Sequence, residues 1–350
     1  MATWMDGLRG DPTPWLLDPE MPAVRHLALC QLFDRPSTDP AVVEALTRAM
    51  APDPIAATLA AQQPEGYWDK PGAGYARKYT GTVWSVIFLA QMGADPTDPR
   101  IHAACSYVLS HALASSGGFG ASGSKELMAP PPSAVIHCLN GNLVHALVRF
   151  GWLDDERLQR AIAWEVRAIT GEGMERWYRT GTSGPGFECA ANEHLPCAWG
   201  AVKAINGLAA IPPDRRTRDV EQAIELGVEF LLSHDLAAAA YPMGWGNTRP
   251  NGSWFKPGFP SGYVTDVSQV LDVLAELGRV ADPRAQPAIE WLLGLQDDDG
   301  RWTNRYAYNG KTWRDVEPQG ASSRWVTLRA LRILKAARLS PALTARAGRG

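Results

Sequence analysis

The densest collection of reactive side chains in this 350-residue sequence is Gly186-Phe187-Glu188-Cys189-Ala190-Ala191-Asn192-Glu193-His194-Leu195-Pro196-Cys197-Ala198-Trp199-Gly200. Its Cys-x4-His-x2-Cys spacing admits four kinds of chemistry. Cys189, His194 and Cys197 are soft or borderline metal ligands, and His137, Cys138 or Asp266 would complete a tetrahedral zinc site. Alternatively, a buried Asp266 with a raised pKa donates a proton while a thiol or imidazole removes one elsewhere. A third reading makes Cys197 or Cys138 a nucleophile, activated by a helix N-terminus and a neighbouring histidine. In the fourth, the cysteines are small apolar residues filling a tight interior.

Helices must position these groups. Pro196 beside Cys197 suits a helix start, with Asn192 as a cap, so Cys197 falls in a first turn. One kind of helical stretch along the chain opens on an acidic cap: Asp98-Pro99-Arg100, Asp154-Asp155-Glu156-Arg157 and Asp282-Pro283-Arg284. Asp accepts the free amide protons of a first turn, and Pro has none to leave unpaired. The other kind carries a leucine-rich face and ends at Gly93, Gly151 or Gly278, where glycine supplies a left-handed stop. The second kind is expected near residues 22–34, 81–93, 135–150, 194–210, 264–277 and 323–337, and the first near 40–62, 98–114, 155–170, 216–233 and 282–295. Aligning the second kind by their terminal glycines brings Cys138, Cys197 and Asp266 to one level, with His137, Cys189 and His194 nearby in sequence.

Such alternation, about five or six repeats of roughly 55–60 residues, builds either an open solenoid or a closed ring, and spacing does not separate them. The loops Gln62-Gln63-Pro64-Glu65-Gly66-Tyr67-Trp68 and Gln296-Asp297-Asp298-Asp299-Gly300-Arg301-Trp302 share Gln, an acid, Gly and Trp at matching offsets. Gly118-Phe119 and Gly244-Trp245 look like degenerate versions. The pattern resembles the glutamine–tryptophan repeat of squalene cyclases and the related repeat of protein prenyltransferase β-subunits. That resemblance, over most of residues 40–337, implies an all-α fold: a single α/α-toroid domain spanning 1–350, a double-shell helical barrel of about five to six helix pairs. In these loops Gln62, Trp68, Gln296 and Trp302 read as fasteners between repeats. The run Asp297-Asp298-Asp299 reads as a solvated turn.

In such a ring the inner helices begin around a central cavity, so the resemblance also implies where chemistry sits. Protein prenyltransferases bind zinc on inner helices, but their ligand spacing is not reproduced here. The Asp-x-Asp-Asp acid of squalene cyclases is absent from every expected inner helix. Linalool dehydratase-isomerase, another member of the superfamily, uses cysteines, a histidine, a tyrosine and an aspartate, an inventory similar to Cys189, Cys197, His137, Tyr263 and Asp266. The expected function is therefore acid–base chemistry, such as cyclisation, isomerisation or dehydration, on an apolar, isoprenoid-like substrate without a cofactor. Asp266 is the expected proton donor, with Cys138, Cys189, Cys197, His137, His194 and Tyr263 around it. A zinc-dependent transferase or hydrolase using Cys189, His194 and Cys197 is the second reading, and a non-catalytic ring that binds a ligand or peptide the third.

Aromatic and basic residues supply a lining. Of 14 tryptophans, several fall with tyrosines in the loops before the second kind of helix. Tyr79, Trp84, Trp199, Trp254 and Trp313 are expected to face an apolar substrate, as are Trp177 and Tyr178, because aromatic faces stabilise positive charge. Lys78, Lys256 and Lys311 occupy corresponding loop positions and are expected to meet a diphosphate or carboxylate at the mouth.

Composition excludes other classes. With 45% hydrophobic and 20% charged residues the chain can build a large core. A formal net charge of −3 provides no basic field for nucleic acid. No apolar stretch approaches a membrane span, no secretion signal is legible at the N-terminus, and 5 cysteines suit reduced thiols, so a cytoplasmic location is expected.

Overall fold

Why the helices start and stop where they do is visible at their ends. In the outer set, Asp98, Asp155 and Asp282 each accept from a backbone amide two residues on, at 2.8, 2.8 and 2.9 Å. In each case the arginine that supplies this amide folds its guanidinium back onto the same carboxylate, so a single Asp-x-Arg unit closes the cap three times. The expected stops at Gly93, Gly151 and Gly278 have φ of 70°, 82° and 69°, the left-handed conformation that glycine adopts without a Cβ clash.

The structure is a computed structural model that describes residues 5, 7–122, 129–173 and 183–339. Its helices, numbered in chain order, are α1 (Thr13–Leu16), α2 (Pro22–Gln31), α3 (Pro40–Ala49), α4 (Ile55–Ala60), α5 (Thr82–Gln91), α6 (Pro99–His111) and α7 (His137–Arg149). There follow α8 (Glu156–Thr170), α9 (Ala198–Ala209), α10 (Arg218–Leu232), α11 (Val267–Glu276), α12 (Gln286–Gly294) and α13 (Arg324–Leu339). The one described sheet pairs Trp302–Thr303 with Ser322–Ser323.

Among these, α2, α5, α7, α9, α11 and α13 form a ring. Each of α5, α7, α9 and α11 packs on the next, and α13 returns to α2. The remaining junction, α2 to α5, is made by Leu27, whose side chain lies 3.0 Å from where a Cβ on Gly93 would be. Closure of this circuit distinguishes a toroid from an open solenoid. Outside it, α3, α6, α8, α10 and α12 pack on α2, α5, α7, α9 and α11 respectively. The tightest junction is α7 on α9, where a Cβ on Gly141 would stand 2.2 Å from the Lys203 carbonyl oxygen and one on Gly207 2.6 Å from the Gly141 oxygen. Only bare backbone fits at such a crossing.

The glutamine–tryptophan loops fasten repeats by identical bonds. Trp68 donates its indole N–H to Thr58 O at 2.6 Å, while its amide reaches Thr82 Oγ1 on α5 at 3.1 Å. Trp302 repeats this with Leu292 O on α12 at 2.8 Å and Thr327 Oγ1 on α13 at 2.9 Å. Gln62 donates to Arg100 O in the first turn of the next outer helix, at 2.9 Å. Among the described residues no outer helix follows Gln296; its Oε1 instead accepts from the amide of Arg9 at 2.9 Å, so the N-terminal segment packs on this last loop. Within the acidic run, Asp297 closes a turn by accepting from the amides of Asp299 and Arg301, and its Oδ2 also accepts from Ser322 Oγ at 3.2 Å. Among the described residues no helix is long and apolar enough to cross a membrane.

Candidate active site in the ring

One segment, Gly258–Tyr263, crosses the ring interior and divides it. Gln91 of α5 holds Ser261 by two hydrogen bonds, 2.7 Å to its carbonyl and 2.8 Å from its amide. Asn142 of α7 donates to Gly262 O at 3.2 Å, and Arg329 of α13 donates to Gly258 O and Ser261 Oγ at 3.1 and 3.0 Å. Because these anchors stand on three different inner helices, the segment spans the ring.

On one side of it lie the N-terminal ends of the inner helices and the aromatic loops. Here the rings pack on one another: Tyr79 stacks on Tyr308 at 4.1 Å, Trp84 meets Tyr263 edge-on at 6.2 Å, and Trp199 lies 6.4 Å from both Trp254 and Tyr263. Lys78 Nζ lies 4.7 Å from the Tyr263 ring centroid. Lys256 and Lys311 are exposed, and neither side chain has a partner among the described residues. Trp313 is also exposed and donates to Thr80 O at 2.9 Å. Two voids at this face measure about 10 Å³ each, room for a water molecule. Trp177 and Tyr178 lie outside the described residues.

The cysteines gather at this level. The neighbouring Cys197 thiol, the amides of Ala191 and Asn192 and the charge of His137 favour the Cys189 thiolate, outweigh burial and bring its pKa down to about 6. Cys197 is pushed well above the ordinary value, and burial together with Cys189 raises Cys138 to about 12. His194 is exposed in its loop. Among the described residues, no three His, Cys, Asp or Glu side chains are arranged to hold a metal ion. Cys189, His194 and Cys197 are thus not convergent ligands in this structure.

His137 is fully committed. Its Nδ1 lies 2.5 Å from Glu165 Oε1 and its Nε2 3.0 Å from Gly184 O, so both ring nitrogens face acceptors. Burial works to lower its pKa, but Glu165 and the Gly184 carbonyl prevail and hold it above the ordinary value. Asn140 adds a 2.5 Å bond to the other Glu165 oxygen, and the network ties α7 to α8. Asp266 is the N-cap of α11. Its Oδ1 accepts from Ser268 N, Ser268 Oγ and Gln269 N at 2.9, 2.5 and 3.3 Å, and its Oδ2 from Gln269 Nε2 at 2.6 Å.

Gln269 leads from that cap to a residue the sequence analysis passed over. Its Oε1 accepts from Nζ of Lys203, which is 3% exposed on inner helix α9. Burial, reinforced by Arg329, brings the Lys203 amine from 10.5 down to about 7, against the opposing pull of Asp266, Cys138 and Asp272. Lys203 is the one charged residue of α9, Ala-Trp-Gly-Ala-Val-Lys-Ala-Ile-Asn-Gly-Leu-Ala. A lone lysine within an inner-shell helix was the available signal. It is easily read past, since surface helices carry lysines whose stems lie on apolar neighbours.

Lys203 also lines a cavity of about 280 Å³, to which all six inner helices contribute. Its wall mixes polar side chains such as Gln91, Asn142, His145 and Gln269 with apolar ones such as Leu27, Val202 and Leu328. Asp272 receives Arg332 through Nε at 3.2 Å and Nη2, with Arg329 at 3.8 Å, so these charges brace α11 against α13 and the crossing segment. Arg149 pairs with Glu276 at 2.7 Å. His145 stands apart from these pairs: its imidazole has no partner among the described residues. Burial, with Arg149, Arg332 and Lys203 adding to it, lowers its pKa to about 3 and keeps it neutral.

No family model matches the chain. Among solved structures it is similar to an unsaturated glucuronyl hydrolase specific for heparin, with TM-score 0.48 and 11% identity over 92% of this chain and 86% of that one. It is also similar to the type II terpene cyclase MstE from Scytonema, with TM-score 0.43 and 17% identity over 93% and 89%. A variant of that cyclase in complex with geranylgeranyl dihydroxybenzoate gives 0.42 and 18% over 93% and 88%. The inner circuit of six helices, its outer shell and its fastening loops make this chain an α/α toroid, with a cavity of mixed polar and apolar wall that includes a buried lysine.

Proposed function

We propose that this protein is an enzyme that moves protons on a small polar molecule held in the central cavity, with Lys203 as the group that takes and returns the proton. The observation that carries this is the enclosed Lys203 amine, brought to about 7 by its surroundings and placed on the wall of a 280 Å³ cavity. A general base works best when its pKa lies near the working pH, and perturbed groups in clefts mark functional sites. Asp266 and Gln269 act as positioning residues. The α11 N-terminus holds the carboxylate, the carboxylate holds the Gln269 amide, and the amide oxygen holds Nζ. Cyclisation, isomerisation and dehydration all require such a proton transfer.

The substrate class follows from the wall. His145, Lys203 and Arg149 offer both donors and acceptors, which suits a molecule bearing carbonyl or hydroxyl groups. An apolar, isoprenoid-like substrate is the second reading. The aromatic cluster favours it, with the indole N–H of Trp199 buried there without a partner. On that reading Asp266, Tyr263 and the cysteines would serve the reaction.

Exchange of carbon-bound hydrogen tests the first reading without knowledge of the pathway. Small oxo acids and hydroxy acids are incubated with the protein in D2O and followed by proton NMR. Wild-type protein should wash deuterium into at least one of them, and Lys203→Met should not. No exchange with any compound, or equal exchange by the variant, would refute the role given to Lys203.

A further inference from the structure

Lys203 has more than a base to offer, because a neutral amine is also a nucleophile. Three features of its surroundings bear on this. Among the described residues its one hydrogen-bond partner is Gln269 Oε1, which occupies one N–H. The side chain borders a cavity large enough for a small molecule, and the backbone that carries it is locked by the glycine crossing of α7 and α9. Finally, the unpartnered imidazole of His145 lines the same cavity, close enough to Lys203 to feel its charge.

We infer that Lys203 captures a small aldehyde or ketone as an imine, with His145 relaying the protons. This rests on the cavity assigned above as the active site. Nζ attacks the carbonyl carbon, the C–N bond forms, and the π electron pair moves onto oxygen. The two protons lost by nitrogen pass in turn to that oxygen, which leaves as water, so the amine and carbonyl become an imine and water with no oxidant or reductant. A neutral imidazole suits the relay, since one ring nitrogen accepts a proton as the other gives one up. An imine draws electrons from the neighbouring carbon. It thereby makes the adjacent C–H acidic, the step that proton transfer at this site needs.

The test uses the intact chain at pH 7 with glyoxylate or acetaldehyde, and sodium cyanoborohydride to reduce any imine to a stable secondary amine. Peptide mass mapping then reads which lysines carry the adduct. At pH 7 an ordinary lysine is neutral in only about one molecule in 2,500. Lys203 should therefore label at least tenfold faster than surface lysines such as Lys78, Lys256 and Lys311. His145→Phe should slow labelling at Lys203 by about tenfold, at the low end of typical acid–base contributions, and leave the surface lysines unchanged. Labelling of Lys203 less than tenfold ahead of the others, or unaffected by His145→Phe, overturns the inference. Deuterium exchange without an adduct would leave Lys203 as a base and end the imine; an adduct without exchange would keep the imine and end the proton-transfer reading.

Discussion

Replacing Lys203 by Met should stabilise this protein, and by an amount that depends on pH in a direction the structure dictates. The folded-state pKa is about 7 and the unfolded value 10.5, so between those limits the unfolded chain holds a proton that the native one lacks. Native stability from this residue is therefore lowest below pH 7, rises as pH climbs from 7 to 10.5, and is level above that. Methionine has no proton to bind, so the advantage of the variant shrinks over the same window. Integrating the difference in bound protons from pH 7 to pH 9 gives a closing of about 2 kcal/mol, at 1.36 kcal/mol per unit of pH for a full proton. The variant also leaves Gln269 Oε1 without its donor, a cost of about 1–3 kcal/mol that shifts the whole curve down but does not tilt it. The slope is thus the quantity to measure. Urea unfolding of both proteins at pH 7, 8 and 9, followed by circular dichroism, gives it directly, and all other titrating groups cancel. A difference that is flat across that range, or that widens with pH, would show that the amine is not held neutral, and the reasoning about the site would fall with it.

Three further outcomes follow from the same geometry. Asp266→Asn removes a cap, at a cost of about 0.5–2 kcal/mol. It also removes a charge that supports the Lys203 ammonium, so the pH profile of Lys203 labelling should move to lower pH; an unmoved profile would sever the link through Gln269. Iodoacetamide at pH 7 should alkylate Cys189 well before Cys138 or Cys105, both raised to about 12 by burial; mass mapping that finds equal rates would contradict the thiolate favoured at Cys189. Trp68→Phe and Trp302→Phe each delete one indole bond to an outer-shell carbonyl, so each should cost about 1 kcal/mol or more, and the double variant should lose the sum because the two loops do not touch. Thermal or urea unfolding reads both.

Much of the architecture was legible in one dimension because it depends on short-range chemistry. Asp-Pro-Arg and Asp-Asp-Glu-Arg mark helix starts through a carboxylate and an amide two residues apart, and the glycine stops depend on one residue's φ. Most helix ranges expected from these signals fall on the observed ones, and the two glutamine–tryptophan loops are the fasteners they looked to be; but the stretch 40–62 breaks into α3 and α4 around Pro52 and Pro54, which lack amide donors, and Cys197 is itself the N-cap of α9, with Asn192 donating to Pro196 O and Pro242 O instead. The site was less legible. The alignment by glycines set Cys138, Cys197 and Asp266 at one level, and the structure puts Cys197 and Asp266 at the N-caps of α9 and α11 and Cys138 in the first turn of α7. It gave no hint that His137 would be spent on Glu165, 28 residues away, or Asp266 on the amides of its own helix. Residue type reports what a group can do, and its partners determine which of those things is left to it.

From the sequence alone came the alternation of helices, their punctuation and the repeat that joins them, since each is set within a few residues. Tertiary structure alone closed the circuit from α13 to α2, ran Gly258–Tyr263 across the interior, and left Lys203 on the cavity wall, bonded to the Gln269 amide oxygen. The physical reason is desolvation. The same lysine on the outer face of a helix would keep its ordinary charge in water, and what lowers it is the ring that five other helices complete around it.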